Sequence, residues 1–143
     1  MVRKELFDKC VGLLEESGLG ENAACEVTWL FEDVAEGEDI TPEQEKRISD
    51  IITRRCEGYP LQYLLGQWEF YGLPFKVGEG VLIPRQDTET IVDTALKMFA
   101  GKKDITVIDL CSGSGCIGIT LERKLDCGRA VCVEKSEKAA EYL

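Results

Sequence analysis

Ile105-Thr-Val-Ile-Asp-Leu-Cys-Ser-Gly-Ser-Gly-Cys-Ile-Gly118 is the stretch on which the reading of this fold turns. Ile105, Val107 and Ile108 are β-branched and apolar, as suits a buried strand, and Asp109 closes it. Gly113 and Gly115 open a tight turn, and Ile117 to Leu121 begins an apolar helical face. A glycine-rich turn between the carboxyl end of a strand and the amino end of a helix lets a ligand reach backbone N–H groups without meeting a Cβ. The stretch is therefore a nucleotide-type binding loop or an ordinary tight turn, and its surroundings must decide.

Working outward, Asp87 or Thr88 is placed to cap a helix running to about Phe99, with Ile91, Val92, Ala95, Leu96 and Phe99 as its apolar stripe. After the stretch come a helix to about Leu125, a strand from Ala130 to Glu134 and a helix start at Ser136. Strand, helix, strand, helix is the opening of a parallel, doubly wound sheet, which two strands do not complete. Further upstream, Trp68–Tyr71 and Phe75–Val77 read as the arms of a β-hairpin around Gly72-Leu73-Pro74, with Val81-Leu82-Ile83 as another extended run. Ahead of the hairpin the period is helical. Leu6, Phe7, Cys10, Leu13 and Leu14 share one face of a first helix, stopped by Gly18-Leu19-Gly20. A second helix runs from Glu21 to Glu36, and Thr41-Pro42-Glu43-Gln44 announces a third with a capping box. The expected fold class is α/β: an all-α domain over residues 1–66, a β-hairpin linker over 67–84, and the first strands of an incomplete Rossmann-like domain over 85–143.

Composition excludes several chemistries. The chain has 143 residues, no histidine and a formal net charge of −10. Without histidine there is no Ser-His-Asp or Cys-His catalysis and no His-ligated metal. With no Lys/Arg cluster to displace counterions, direct nucleic-acid binding is not expected, and a basic protein is the better partner. Glu15, Glu16, Glu21, Glu32, Asp33, Glu36, Glu38 and Asp39 crowd the outside of the helical domain, as a solvated face or a docking surface. The seven cysteines lack any Cys-x-x-Cys pair and read as buried, reduced thiols of a cytoplasmic protein. No apolar run reaches the ~18 residues of a membrane span.

Gly113-x-Gly115-x-x-Gly118, with Glu134 further on, formally satisfies the dinucleotide fingerprint. In that fold the first glycine comes directly off the strand, whereas here three residues separate Asp109 from Gly113. The spacing Asp-x-x-x-Gly-x-Gly resembles the first motif of the S-adenosyl-L-methionine-dependent methyltransferases. On that reading Asp109 offers a carboxylate to the donor's ammonium group and Glu134 accepts from both ribose hydroxyls.

The resemblance sharpens upstream. Gly58-Tyr-Pro-Leu-Gln-Tyr-Leu-Leu-Gly66, Trp68-Glu-Phe-Tyr-Gly72, Val81-Leu-Ile-Pro-Arg-Gln-Asp-Thr-Glu89 and Val107–Gly118 together resemble the HemK/PrmC family, which methylates the glutamine amide of peptide chain release factors. The resemblance implies a helical recognition domain, a hairpin and a class I methyltransferase domain. It implies a donor site at Cys111, Ser112, Gly113, Ser114, Gly115 and Glu134, with Cys111 standing where glycine is usual. It also places Arg85, Thr88 and Glu89 beside the active cleft; a helix cap with a flanking ion pair is the alternative for that segment. The family's Asn-Pro-Pro-Tyr motif is absent, since Asn22 is the only asparagine and no two prolines adjoin. The expectation is thus the amino-terminal part of a release-factor glutamine methyltransferase, inactive alone and prone to self-association through its open sheet. A non-catalytic binding module and a dinucleotide-dependent oxidoreductase fragment stay open as alternatives.

Overall fold

Helix α1 (Arg3–Glu16) places Leu6, Cys10 and Leu14 four residues apart, so all three point the same way and are buried. The computed structural model to which it belongs describes residues 3–35, 37, 39–125 and 127–143, residue 127 by its backbone alone. The chain divides after Leu65 into two compact units.

In the first unit α1 ends where Gly18 turns left-handed (φ 82°), which lets the Leu19 N–H reach back to the Leu14 carbonyl at 2.9 Å. A 3-10 turn (Gly20–Asn22) leads into α2 (Ala23–Val34). That helix is shorter at its start than the apolar period suggests, and Ala35 is already extended; Glu36 and Glu38 lie outside the described residues. Helix α3 (Pro42–Cys56) starts on a complete capping box: Thr41 Oγ1 accepts the Gln44 N–H at 3.2 Å and Gln44 Oε1 accepts the Thr41 N–H at 2.9 Å. A short α4 (Leu61–Leu65) follows. Val27, Leu30 and Phe31 of α2 and Ile48 and Ile52 of α3 close the core around α1. Each such side chain contributes about 1.5–3 kcal/mol by leaving water. The guanidinium of Arg55 forks onto Glu26 at 2.6 and 3.0 Å, tying α3 to α2 with both side chains largely buried.

The second unit opens with antiparallel β1 (Gln67–Phe70) and β2 (Leu73–Lys76). Phe70 pairs with Leu73, so the turn is Tyr71-Gly72, both with positive φ (54° and 74°), and not the expected Gly72-Leu73-Pro74. Pro74 instead sits in β2 opposite Glu69. The hairpin, read from sequence as a linker, contributes Phe70 and Phe75 to a core shared with Val92, Cys116 and Leu121. Residues 81–83 form no strand, although Val81 is buried. Helix α5 (Glu89–Met98) is entered through a 3-10 turn (Gln86–Thr88) with no side-chain cap, because Thr88 already has helical angles (φ −67°, ψ −20°).

Strands β3 (Ile105–Leu110) and β4 (Cys127–Val133) are parallel, with Ile108 opposite Val131 and Leu110 opposite Val133. Between them runs α6 (Cys116–Lys124), and a short α7 (Glu137–Ala140) follows, capped by the Ser136 hydroxyl on the Ala139 N–H. The strand expected to be buried is covered on one face only. Ile108, Leu110 and Val133 are 62, 69 and 45% exposed. The thiols differ from expectation too: Cys10 is buried and pushed up to about 11 by that burial, but Cys25 and Cys111 are exposed. Among the described residues no helix is long and apolar enough to cross a membrane.

Candidate functional site

Parallel pairing brings the ends of β3 and β4 to one edge of the sheet, and the glycine loop is built there. The Cys111 and Ser112 N–H groups both donate to the Val133 carbonyl, at 2.8 and 3.1 Å, so the loop starts tied to the last residue of β4. Glu134 therefore lies beside it. Its Oε2 accepts the Gly113 N–H at 2.8 Å and its Oε1 accepts the Ser136 N–H at 2.8 Å. Those bonds, Ser136's first, hold its carboxyl below the ordinary 4.5. Gly113 and Gly115 take the left-handed conformation (φ 56° and 75°), and the Gly115 N–H closes the turn on the Ser112 carbonyl at 2.8 Å.

Three site residues carry surprises. Cys111, standing where glycine is usual, has φ 63°, because it must aim its N–H at Val133 while the chain leaves the strand. For a residue with a Cβ the left-handed region costs about 1–2 kcal/mol. Asp109 turns its Oδ2 onto the Gly118 N–H at 2.8 Å, capping the first turn of α6 from the neighbouring strand. Gly118 has to be glycine for this approach, since a Cβ there would lie 2.8 Å from Cys132 Sγ and 2.9 Å from Asp109 Cβ. Ser112 is only 7% exposed, and its hydroxyl has no hydrogen-bond partner among the described residues. Ser114, also buried, completes the loop.

Among the described residues no hydrogen bond or ion pair joins the second group to the loop. Arg85 is exposed and without an ion pair among the described residues, and Thr88 caps nothing with its side chain. Glu89 Oε1 accepts the N–H of Tyr71 at 2.7 Å. Val81, at the start of this segment, approaches the loop: its Cγ2 lies 3.8 Å from where a Cβ on Gly113 would stand. Sequence reasoning missed Tyr71 and Val81; the adjacency of Tyr71 to Gly72 was the available signal for a two-residue turn.

A helical domain followed in the chain by a strand–glycine loop–helix–strand unit, with an acid at the end of the second strand, is the opening architecture of a Rossmann-like methyltransferase. Residues 5–66 match the family described as the PrmC N-terminal domain. The chain is 34% identical to a release factor glutamine methyltransferase of Fusobacterium nucleatum, across 94% of the chain and 41% of that relative. It is 38% identical to the Geobacter sulfurreducens protein of the same name, across 95 and 50%. To that of Moorella thermoacetica it is 41% identical, across 71 and 36%. The chain thus spans half or less of the length of these relatives. It belongs to the HemK/PrmC family, to whose amino-terminal portion it corresponds.

Two outcomes follow from the loop geometry. Glu134 is more acidic folded than unfolded, so its stabilising contribution is complete above 4.5 and is lost as pH falls through and below that value. Glu134→Gln is expected to flatten the acid limb of stability against pH for the second unit, measured by urea unfolding across the carboxylate range. Cys111→Gly removes the left-handed strain but adds unfolded-state entropy. It should raise stability by roughly 0.5–1 kcal/mol in the same assay.

Proposed function

We propose that this chain supplies the release-factor recognition domain and the donor-binding side of a protein-glutamine methyltransferase acting on peptide chain release factors, with S-adenosyl-L-methionine as donor. The observation that carries this reading is the Glu134 carboxylate 2.8 Å from the Gly113 N–H, an acid held against a glycine loop by the parallel register of β3 and β4. The unpartnered, buried Ser112 hydroxyl fits a site built to receive a polar ligand. Cys111 to Gly115, Glu134 and Asp109 would hold the donor, which supplies an electrophilic methyl group when bound. Glu134 would accept from the ribose hydroxyls, and Asp109, with one oxygen on Gly118, would offer the other to the ammonium group.

An amide nitrogen is a weak nucleophile because its lone pair is delocalised into the carbonyl. Its methylation depends on gripping the amide and aligning it, that is, on orientation and preorganised dipoles. The Asn-Pro-Pro-Tyr motif that serves this purpose in the family is absent from these 143 residues. The chain by itself therefore binds donor but does not transfer the methyl group. Calorimetric titration should give S-adenosyl-L-methionine binding that Glu134→Ala weakens at least ~10-fold, as expected for losing charge-assisted hydrogen bonds. Tighter binding of NAD than of S-adenosyl-L-methionine would overturn the donor assignment, and methylation of a release factor by this chain alone would overturn the second statement.

The acidic helical unit is the proposed surface for a basic partner. The apolar sheet face of Ile108, Leu110 and Val133 is a proposed contact between two copies of the chain. Sedimentation velocity should reveal concentration-dependent association that Ile108→Lys suppresses; monodisperse monomers of the unaltered chain would exclude it.

A further inference from the structure

Tyr71 is gripped from both of its ends. As the first residue of the hairpin turn it has φ 54°, an outlier for a bulky aromatic residue that persists only where surrounding contacts over-determine it. Those contacts come from α5. The Tyr71 N–H donates to Glu89 Oε1 at 2.7 Å, and its phenol donates to Asp93 Oδ1 at 2.7 Å. The ammonium of Lys124, on α6, lies 5.7 Å from the centre of its ring. Glu89 and Asp93 are four residues apart on one helix face, where two carboxylates repel each other. Here one residue supplies a donor to each, so the like charges and the strained turn relieve one another.

We propose that Glu89 is a positioning residue: together with Asp93 it clamps Tyr71 and so fixes the hairpin tip on the first turns of α5, the helix that follows Arg85. The segment Pro84-Arg85-Gln86-Asp87-Thr88-Glu89 then divides into two parts. Glu89 is committed by one carboxylate oxygen to the protein's own backbone, while the side chains of Arg85 and Thr88 make no hydrogen bond among the described residues. Glu89 acts on a bound substrate only through where it sets the hairpin and α5. The inference does not rest on the proposed methyl transfer. It is read from resonances of Tyr71 with neither donor nor release factor present, so it can fail while the donor assignment stands, and the reverse.

The test uses the whole chain labelled with nitrogen-15. In the unaltered protein the Tyr71 amide should exchange slowly, because Glu89 Oε1 accepts its proton. In Glu89→Gln it should stay protected, since a side-chain carbonyl can still accept. Glu89→Ala should raise Tyr71 amide exchange by roughly 10- to 100-fold relative to amides outside the hairpin, the value of a hydrogen bond to a charged acceptor. Asp93→Asn supplies the independent arm. The phenol is held above the ordinary tyrosine range, first by its bond to Asp93, and that variant should bring it back down while leaving the amide protected. A Tyr71 amide that exchanges freely in the unaltered chain, or unchanged exchange in Glu89→Ala, would overturn the proposal. The first of these decides the matter even where the alanine variant does not fold.

Discussion

In the second unit, how closely β3 meets α6 is set by one hydrogen bond, the Gly118 N–H to Asp109 Oδ2 at 2.8 Å. The first turn of a helix leaves its N–H groups without intrahelical acceptors, and here a neighbouring strand supplies one. The bond brings strand and helix so close that a methyl group at position 118 would overlap both Asp109 and Cys132. It also dictates the connection. The chain has to leave β3 at Leu110 and enter α6 at Cys116, and it does so by turning left-handed at Cys111, Gly113 and Gly115. Backbone N–H groups are thereby gathered at the sheet's end, those of Cys111, Ser112, Gly113 and Gly115 each on an acceptor of the protein, so the geometry that could serve a ligand is a by-product of how the helix is capped.

The loop does not leave all of those groups bare. Glu134 takes the Gly113 N–H and the Ser136 N–H, one with each oxygen, and thus staples loop to strand end. Binding of the proposed ligand at this edge would then be an exchange of partners in which the carboxylate is already charged and aimed, which lowers the ordering that binding would otherwise require. Ser112 stands on the opposite footing. A buried hydroxyl without a partner opposes folding, and this one lies in the loop proposed to receive the ligand.

What could be read from sequence follows the range of the interactions. The capping box at Thr41 is contained in four residues, and it forms as its letters suggest. The parallel pairing of β3 and β4 follows from strand–helix–strand order, a rule about chain connection that needs no knowledge of contacts. The backbones of Tyr71 and Cys111 and the partner of Glu89 were not legible, for one shared reason. Tyr71 tolerates a left-handed backbone because Glu89 and Asp93, some twenty residues onward, hold it; Cys111 does so because of the Val133 carbonyl. Glu89, read as a cleft residue or part of a helix cap, has a partner eighteen residues upstream. The apolar run of β3 carried another ambiguity: β-branched residues mark a strand but do not say which of its faces is covered. The glycine loop itself was legible, because positive φ and close approach leave a mark in residue type.

Charge is distributed unevenly between the two units, and the division matters for how each could act. The helical unit holds 15 acidic and 7 basic residues, the second unit 12 and 10, so eight of the ten excess negative charges belong to the first. A field of that size reaches about 8–10 Å at physiological ionic strength, which suits attraction of a large basic partner and weakens with salt. A small cationic ligand at the glycine loop needs nothing of the kind. It would meet Glu134 and Asp109 at hydrogen-bonding distance, where salt screens little and the direction of each lone pair matters more than net charge. The second unit can therefore be nearly neutral and still be selective. Recognition of a partner by the first unit and of a donor by the second would respond differently to ionic strength, because one depends on a summed field and the other on two placed carboxylates.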